Sequence, residues 1–546
     1  VSRSEVAWIL SLTAVALLLR WSEIGRVALS HFDEGVYMLW GLAGDYPAKA
    51  YFAPPLLPGL IRIVCGILGP DEIWARMSVG LFGAASIPIL WLVSRRWFGP
   101  AAAAAAASLA TFSEYHIAFC RLVLTDVPFT FWFIASIALA YESLRQCTAT
   151  PRQSSAWRIF VTLAAGTAAG AALNTKYNGS LALIVPAFAL GCELTLRTGI
   201  PVADRFRHVR QLLIIAAIAA LLYAPWFWAV HSTVGYGDLL RHHRGYSSTI
   251  EQWPANLMAM LSNAWYLNRG MGAIGASIGM LSGFACSRAR MSATILVVVA
   301  AAGYLLDDGV GWMLGPLGLL YGIRNRNSSA IWCAVWLGIL VLITPMYRPY
   351  ARLMLPLIAG GWLAFGALVQ CVVGMASVAD PREMRFTWVL AWLALVVGAA
   401  ISYSVHGRSD RSPSDGEPSL RIASERLFRL LPEPHRVAAF VRPPALFYAR
   451  VYAGDRVIGP LNPSDSDALR SWLDEPTGPE FLFVDESLLR DNVALSTQLG
   501  AEHDRMQEVA RFKYRPADAV VLDDRLAAPP SANIETAYQL VLYRRR

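Results

Sequence analysis

Apolar stretches of bilayer-crossing length recur along the first 404 residues, and no other feature restricts the fold as much. They lie near 6–20, 74–94, 100–117, 127–144, 158–174, 179–196, 211–230, 271–287, 291–306, 309–323, 330–345, 353–373 and 386–404. A crossing helix needs about 17 to 25 mostly apolar residues, and only helices or closed barrels satisfy every backbone polar group inside hydrocarbon. The expectation is a polytopic α-helical membrane protein with about thirteen transmembrane helices. The shorter run Leu56 to Leu68 follows Pro54-Pro55 and contains Arg62, which suits an interfacial helix better than a span. Val6 to Leu19 has no strongly basic leader and no small-residue cleavage site, so it reads as a retained span.

Past Tyr403 the pattern changes, and charges and prolines appear at the density of a soluble domain. The β-prone runs Val437 to Val441, Arg456 to Ile458, Phe481 to Val484 and Tyr538 to Tyr543 alternate with helical patterns at Ser464 to Leu473 and Asp491 to Leu499. That alternation predicts an α/β domain. The chain divides into a transmembrane part (1–404) with large loops at 21–73 and 231–270, a Ser- and Pro-rich linker (405–419) and the α/β domain (420–546). The net charge of +8 does not point to nucleic acid: after Ser404 the tail holds 19 Lys plus Arg against 21 Asp plus Glu, so the surplus belongs to the membrane part. All seven cysteines fall in or beside apolar segments, which supports neither a disulfide framework nor a Cys-based metal site.

Loop charge chooses the orientation. With the N-terminus cytoplasmic, the inner segments collect sixteen arginines, against twelve Lys or Arg elsewhere before residue 405. The α/β domain is then extracytoplasmic, at a bacterial cytoplasmic membrane. The same outer side gathers the unusual polar residues. Asp33 and Glu34 follow the first span, and Asp126 opens the fourth. Lys176 joins the fifth and sixth, His242 and His243 lie in the long loop, and Arg348 and Arg352 precede the twelfth. Ionisable groups at membrane depth are costly and call for a chemical reason. Two readings fit: carboxylates and cations that carry out a transfer at the membrane surface, or charges that line the path of a secondary transporter. Carriers usually place such charges near the midplane of a repeated fold, whereas these gather at one mouth and no repeat is visible.

Phe32-Asp33-Glu34, Leu124-Thr-Asp126-Val-Pro128 through Trp132, Thr175-Lys176 and the segment Arg348 to Pro356 together resemble the GT-C class of lipid-sugar-dependent glycosyltransferases. Within it they resemble family 39, which contains protein O-mannosyltransferases and aminoarabinose transferases. The resemblance implies transfer of a sugar from a polyprenyl-phosphate donor to a glycan, lipid or protein acceptor on the outer face, with inversion at the sugar. It assigns Asp33, with its neighbour Glu34, as general base or metal-linked carboxylate and Asp126 as a second acidic site. Lys176, Arg348 and Arg352 face the donor phosphate. It admits a divalent cation, Mg or Mn, at Asp33 and Asp126, with His242 and His243 as weaker candidates. The chain departs from the aminoarabinose transferases in having Ala53-Pro54-Pro55 where they carry Glu-Lys-Pro, which leaves the acceptor open.

Overall fold

The computed structural model describes residues 2–43, 53–148, 155–197, 200–266, 270–287, 327–374, 381–409, 419–458, 468–486, 493–514 and 538–546, apart from single or paired positions, with a few more between 288 and 326 and at 488. Among the described residues nine helices are long and apolar enough to cross a membrane. The membrane part runs α1 (Arg3–Trp21), α2 (Phe32–Ala43), α3 (Leu56–Leu68), α4 (Glu72–Trp97), α5 (Pro100–Phe112), α6 (Glu114–Cys120), α7 (Asp126–Thr148) and α8 (Ser155–Thr175). It continues as α9 (Leu181–Leu196), α10 (Val202–Thr233), α11 (Tyr236–Arg244), α12 (Trp253–Tyr266), α13 (Met271–Ser287), α14 (Ser328–Ile343), α15 (Leu355–Gly374) and α16 (Pro381–Ser409). The apolar helices α5 and α13 occupy two more of the expected spans but are shorter; the one expected at 291–306, and all of that at 309–323 except 319, 320 and 323, lie outside the described residues.

The expected span 100–117 is broken. Ser113 ends α5 and caps α6 by accepting from the His116 amide. The carbonyls exposed at that break are met by a buried arginine: Arg20 of α1 donates to Ala110 at 3.0 Å and to Thr111 at 3.3 Å. Helix C-termini leave carbonyls without intrahelical partners, and a guanidinium satisfies several at once. Arg121 serves α1 in the same way through Leu19 at 2.8 Å.

Alanines 101 to 107 of α5 are fully buried. A Cβ added to Gly279 of α13 would lie 2.8 Å from the Ala105 Cα, and one at Gly366 of α15 would lie 2.6 Å from the Ala102 carbonyl oxygen. Backbones at this separation gain dense van der Waals contact, the main attraction between helices where lipid removes the hydrophobic drive.

Beyond the linker, α17 (Leu420–Arg429) leads into a five-stranded sheet in the order β2-β1-β3-β5-β4. Its strands are β1 (Val437–Phe440), β2 (Val457–Ile458), β3 (Phe481–Asp485), β4 (Met506–Tyr514) and β5 (Tyr538–Arg545). β1 pairs in parallel with β2 and β3, while β5 runs antiparallel to β3 and β4. Helix α18 (Pro443–Ala453) joins β1 to β2 and packs on α2. There Gly35 meets Pro444 so closely that a Cβ would fall 2.1 Å from its nitrogen. The buried Tyr448 hydroxyl accepts from the Leu29 amide at 2.8 Å and donates to Glu72 at 3.0 Å. Burial, with Glu72 beside it, pushes this phenol well above its usual range, so it stays a donor.

Overpacking the α5 contact carries a defined cost. Gly279→Leu forces α13 away from α5 and is expected to lower stability by about 1 to 3 kcal/mol or more, read as a lower thermal unfolding midpoint in detergent. Gly191→Leu, at a glycine with open space around it, is expected to leave the midpoint within a degree or two.

Candidate active site

Helix α2 sets the first two carboxylates about 100° apart, as neighbours on an α-helix must be. Glu34 turns inward and is fully buried. It accepts from the Val123 amide at 2.9 Å, from the His31 amide at 3.1 Å and from Arg76 at 3.4 Å. The bond to His31 is the returning half of a capping box: a third-position glutamate satisfies the amide that precedes its own helix. With Glu34 so placed, Asp33 faces the other way, one-third exposed, into a cavity of about 650 Å³.

Three further elements bring charge to that cavity. Asp126 is the first residue of α7 and is nearly buried. Lys176 lies between α8 and a 3-10 turn, Tyr177–Ser180, and its ammonium pairs with Asp126 Oδ1. Gly179 closes this turn against α8, where a Cβ would lie 2.3 Å from the Ala172 carbonyl oxygen, so only glycine allows the approach. Arg352 sits in the 3-10 turn Ala351–Met354 before α15. Its Nη1 is 2.9 Å from Asp33 Oδ2 and 2.8 Å from His31 Nε2, and its Nε is 3.9 Å from Asp126 Oδ2. One guanidinium thus holds both carboxylates and an imidazole, which its fork of donors permits and a lysine does not.

The rest of the wall divides by chemistry. Leu340, Ile343, Leu353 and Pro356 are apolar, and Tyr246, Tyr347, Tyr350 and His243 are polar aromatics. Burial, then the charge of Asp33, pushes the Tyr37 phenol well above its usual range, so it remains a hydroxyl donor. Burial, then His242 and Lys176, holds the His243 imidazole below its usual range. It is neutral at neutral pH, with Nδ1 3.3 Å from the Tyr347 hydroxyl.

Of the residues singled out in the sequence, Asp33, Asp126, Lys176, Arg352, His242 and His243 all line this cavity. Glu34 and Arg348 do not. Glu34 is consumed by the buried network behind α2, and Arg348 is exposed, with its guanidinium over the Tyr246 ring at 5.2 Å. His31 and Tyr37 were not singled out, although His31 stands two residues before Asp33 and Tyr37 one helical turn after it. The two carboxylates that the resemblance offers to a divalent cation are paired with side-chain cations in this structure. Asp33 and Asp126 each face Arg352, Asp126 also holds Lys176, and among the described residues no group of three His, Cys, Asp or Glu side chains stands together.

The model of the family described as dolichyl-phosphate-mannose-protein mannosyltransferase matches residues 66–234, a stretch that contains Asp126 and Lys176. No curated protein sequence matches the chain. Among solved structures, the chain is similar to ArnT from Cupriavidus metallidurans bound to undecaprenyl phosphate, with a TM-score of 0.59 and 15% identity over 98% of each chain. It is also similar to the archaeal oligosaccharyltransferase AglB from Archaeoglobus fulgidus in complex with an inhibitory peptide and a dolichol-phosphate. That match has a TM-score of 0.55 and 13% identity, over 94% of this chain and 73% of that one.

The two neighbouring carboxylates separate in experiment. Glu34→Ala leaves buried donors without their acceptor and is expected to cost about 3 to 5 kcal/mol, whereas Asp33→Asn keeps an oxygen facing Arg352, which His31 and Asp126 also hold, and is expected to cost clearly less. Thermal unfolding of both variants in detergent measures the contrast.

Proposed function

We propose that this chain, whose fold is that of the GT-C glycosyltransferases, moves a sugar from a polyprenyl-phosphate donor to an acceptor at the membrane surface. The carrying observation is Arg352, which joins Asp33 and Asp126 in one cavity whose wall offers both apolar and polar aromatic residues. A lipid-linked sugar phosphate has the same mixture. Its chain suits the apolar residues, its phosphate the Arg352–Lys176 pair, and its sugar the aromatic residues, where rings offer faces to sugar C–H groups.

In this reading Asp33 is the base, being the more exposed of the two carboxylates. The acceptor oxygen attacks the anomeric carbon while its proton passes to Asp33. The bond from that carbon to the phosphate oxygen breaks, and its electron pair leaves with polyprenyl phosphate. Attack opposite the leaving group inverts the anomeric centre. Arg352 and Lys176 stabilise the departing anion, as fixed cations do best in a site shielded from water. Donor phosphate also competes with Asp33 for Arg352. Binding therefore releases the Asp33 carboxylate from its ion pair, leaving its oxygens free to take the acceptor's proton. Asp126 keeps Lys176 and Arg352 in place, and His31 orients Arg352.

The reading extends to placement. The N-terminus is cytoplasmic, and the cavity and the α/β domain face outward at a bacterial cytoplasmic membrane, which follows from the distribution of arginines between loops. The acceptor is a glycan, lipid or protein; the wall residues do not distinguish these. A solute carrier is not favoured, because these charges lie at one mouth beside a lipid-sized apolar wall.

The test uses purified protein in detergent, where no compartment exists for transport. Wild type is expected to consume a polyprenyl-phosphate sugar and release polyprenyl phosphate, by slow hydrolysis if no acceptor is supplied. Asp33→Asn is expected to lower turnover about 10²-fold or more with donor binding retained. Arg352→Lys keeps the charge but loses the fork, and is expected to weaken donor binding by about 1 to 3 kcal/mol, while Arg348→Lys leaves it unchanged. Wild-type turnover in folded Asp33→Asn, or solute flux in proteoliposomes without donor consumption, overturns the reading.

A further inference from the structure

A second cavity, of about 610 Å³, opens at the opposite ends of α7, α8 and α10 from the site. Helix α7 separates the two: Asp126 begins it and Cys147 lines the second cavity, 21 residues on, a rise of about 32 Å, the thickness of a bilayer core. Nothing in the proposed transfer uses this place.

Its chemistry is divided in two. Arg158, Arg207 and Arg210 stand at the rim, and no carboxylate lines it. Arg207 has a partner in the half-buried Asp204 at 3.1 Å. Among the described residues neither Arg158 nor Arg210 has an ion pair. The floor is polar: Gln211 donates to Ser143 at 2.8 Å, and Ser143 and Thr162 share a hydrogen bond at 3.0 Å. Below the rim, Ile159, Leu163 and Ile214 are 60, 51 and 41% exposed, so inside a membrane they face acyl chains.

We propose that this cavity binds the headgroup of an anionic phospholipid in the leaflet opposite the site, with the phosphate between Arg158, Arg207 and Arg210 and the acyl chains along Ile159, Leu163 and Ile214. Basic pockets between transmembrane helices select anionic headgroups because the lipid supplies both the missing charge and the apolar contact. A free phosphate supplies only the first. A zwitterionic headgroup carries its own cation and gains less from three guanidinium groups.

The test reads lipid binding to the full-length protein by native mass spectrometry and by the shift of its unfolding midpoint in detergent, with phosphatidylglycerol, phosphatidylcholine and inorganic phosphate as probes. Phosphatidylglycerol is expected to bind at least fivefold more tightly than phosphatidylcholine and to raise the midpoint, with millimolar phosphate giving no shift. The triple variant Arg158→Gln, Arg207→Gln, Arg210→Gln is expected to lose that preference. Arg382→Gln with Arg385→Gln, on α16 and outside the cavity, is expected to keep it. Equal binding of the two lipids by wild type overturns the proposal without reference to any variant. So does an unchanged preference in the triple variant, and a phosphate effect equal to that of the lipid reassigns the cavity to free phosphate.

Discussion

The arrangement of the site depends on one buried carboxylate that never reaches it. Glu34 ties α2 to Arg76 of α4 and to the Val123 amide just before α7, and it closes the turn at His31. Taking a charge out of water costs several kcal/mol, which is recovered only when each oxygen finds well-placed donors. That requirement makes the position unforgiving, because α2 cannot slide or rotate without stranding the charge. On the other side Gly35 lies against Pro444, and Tyr448 holds the Leu29 amide. The α/β domain therefore does more than cover the membrane part: the helix carrying Asp33 is clamped between the two.

Charge balance explains why the cavity tolerates its contents. Asp33 and Asp126 are offset by Arg352 and Lys176, so the four groups sum to zero when all are ionised. Such a set is stable in a half-buried place only while the pairs hold, since at low dielectric each unpaired charge weighs heavily. An incoming anion disturbs that balance in one direction alone, drawing the cations to itself and leaving a carboxylate in excess. The preference for a ligand with both a negative group and an apolar tail is thus built into the resting ion pairs and the wall beside them.

The spans were legible because hydropathy over some twenty residues survives any detail of packing. Asp126, Lys176 and Arg352 were legible because each stands at the end of such a span, where the membrane fixes depth. What sequence could not give was rotation. Asp33 and Glu34 are equivalent in the chain until the first residue of α2 is known, and only then does one face the cavity and the other the core. Arg348 and Arg352 are separated in the same way by a 3-10 turn. The break at Ser113 was hidden because alanines followed by Phe112 read as continuous helix. In the α/β domain β1 and β3 were plain from their apolar runs, but β4 was missed because Met506–Tyr514 is a sheet-edge strand in which five of nine residues are exposed and Glu508, Arg511 and Lys513 interrupt the apolar pattern.

The alanine helix α5 has a consequence for how the protein is made. Thirteen residues rise about 20 Å, short of a hydrocarbon core of about 30 Å, and alanine lacks the insertion drive that Leu, Ile, Phe or Val supplies. The segment cannot hold a place in the bilayer by partitioning alone. Helix α4 and Arg20 of α1 precede it and already meet it, but the closest backbone approaches come from α13 and α15, which leave the ribosome after well over a hundred further residues have been added. This buried helix is thus synthesised early and enclosed on all sides only late. During translation it is a provisional passenger, and its close packing is complete only when α15 docks.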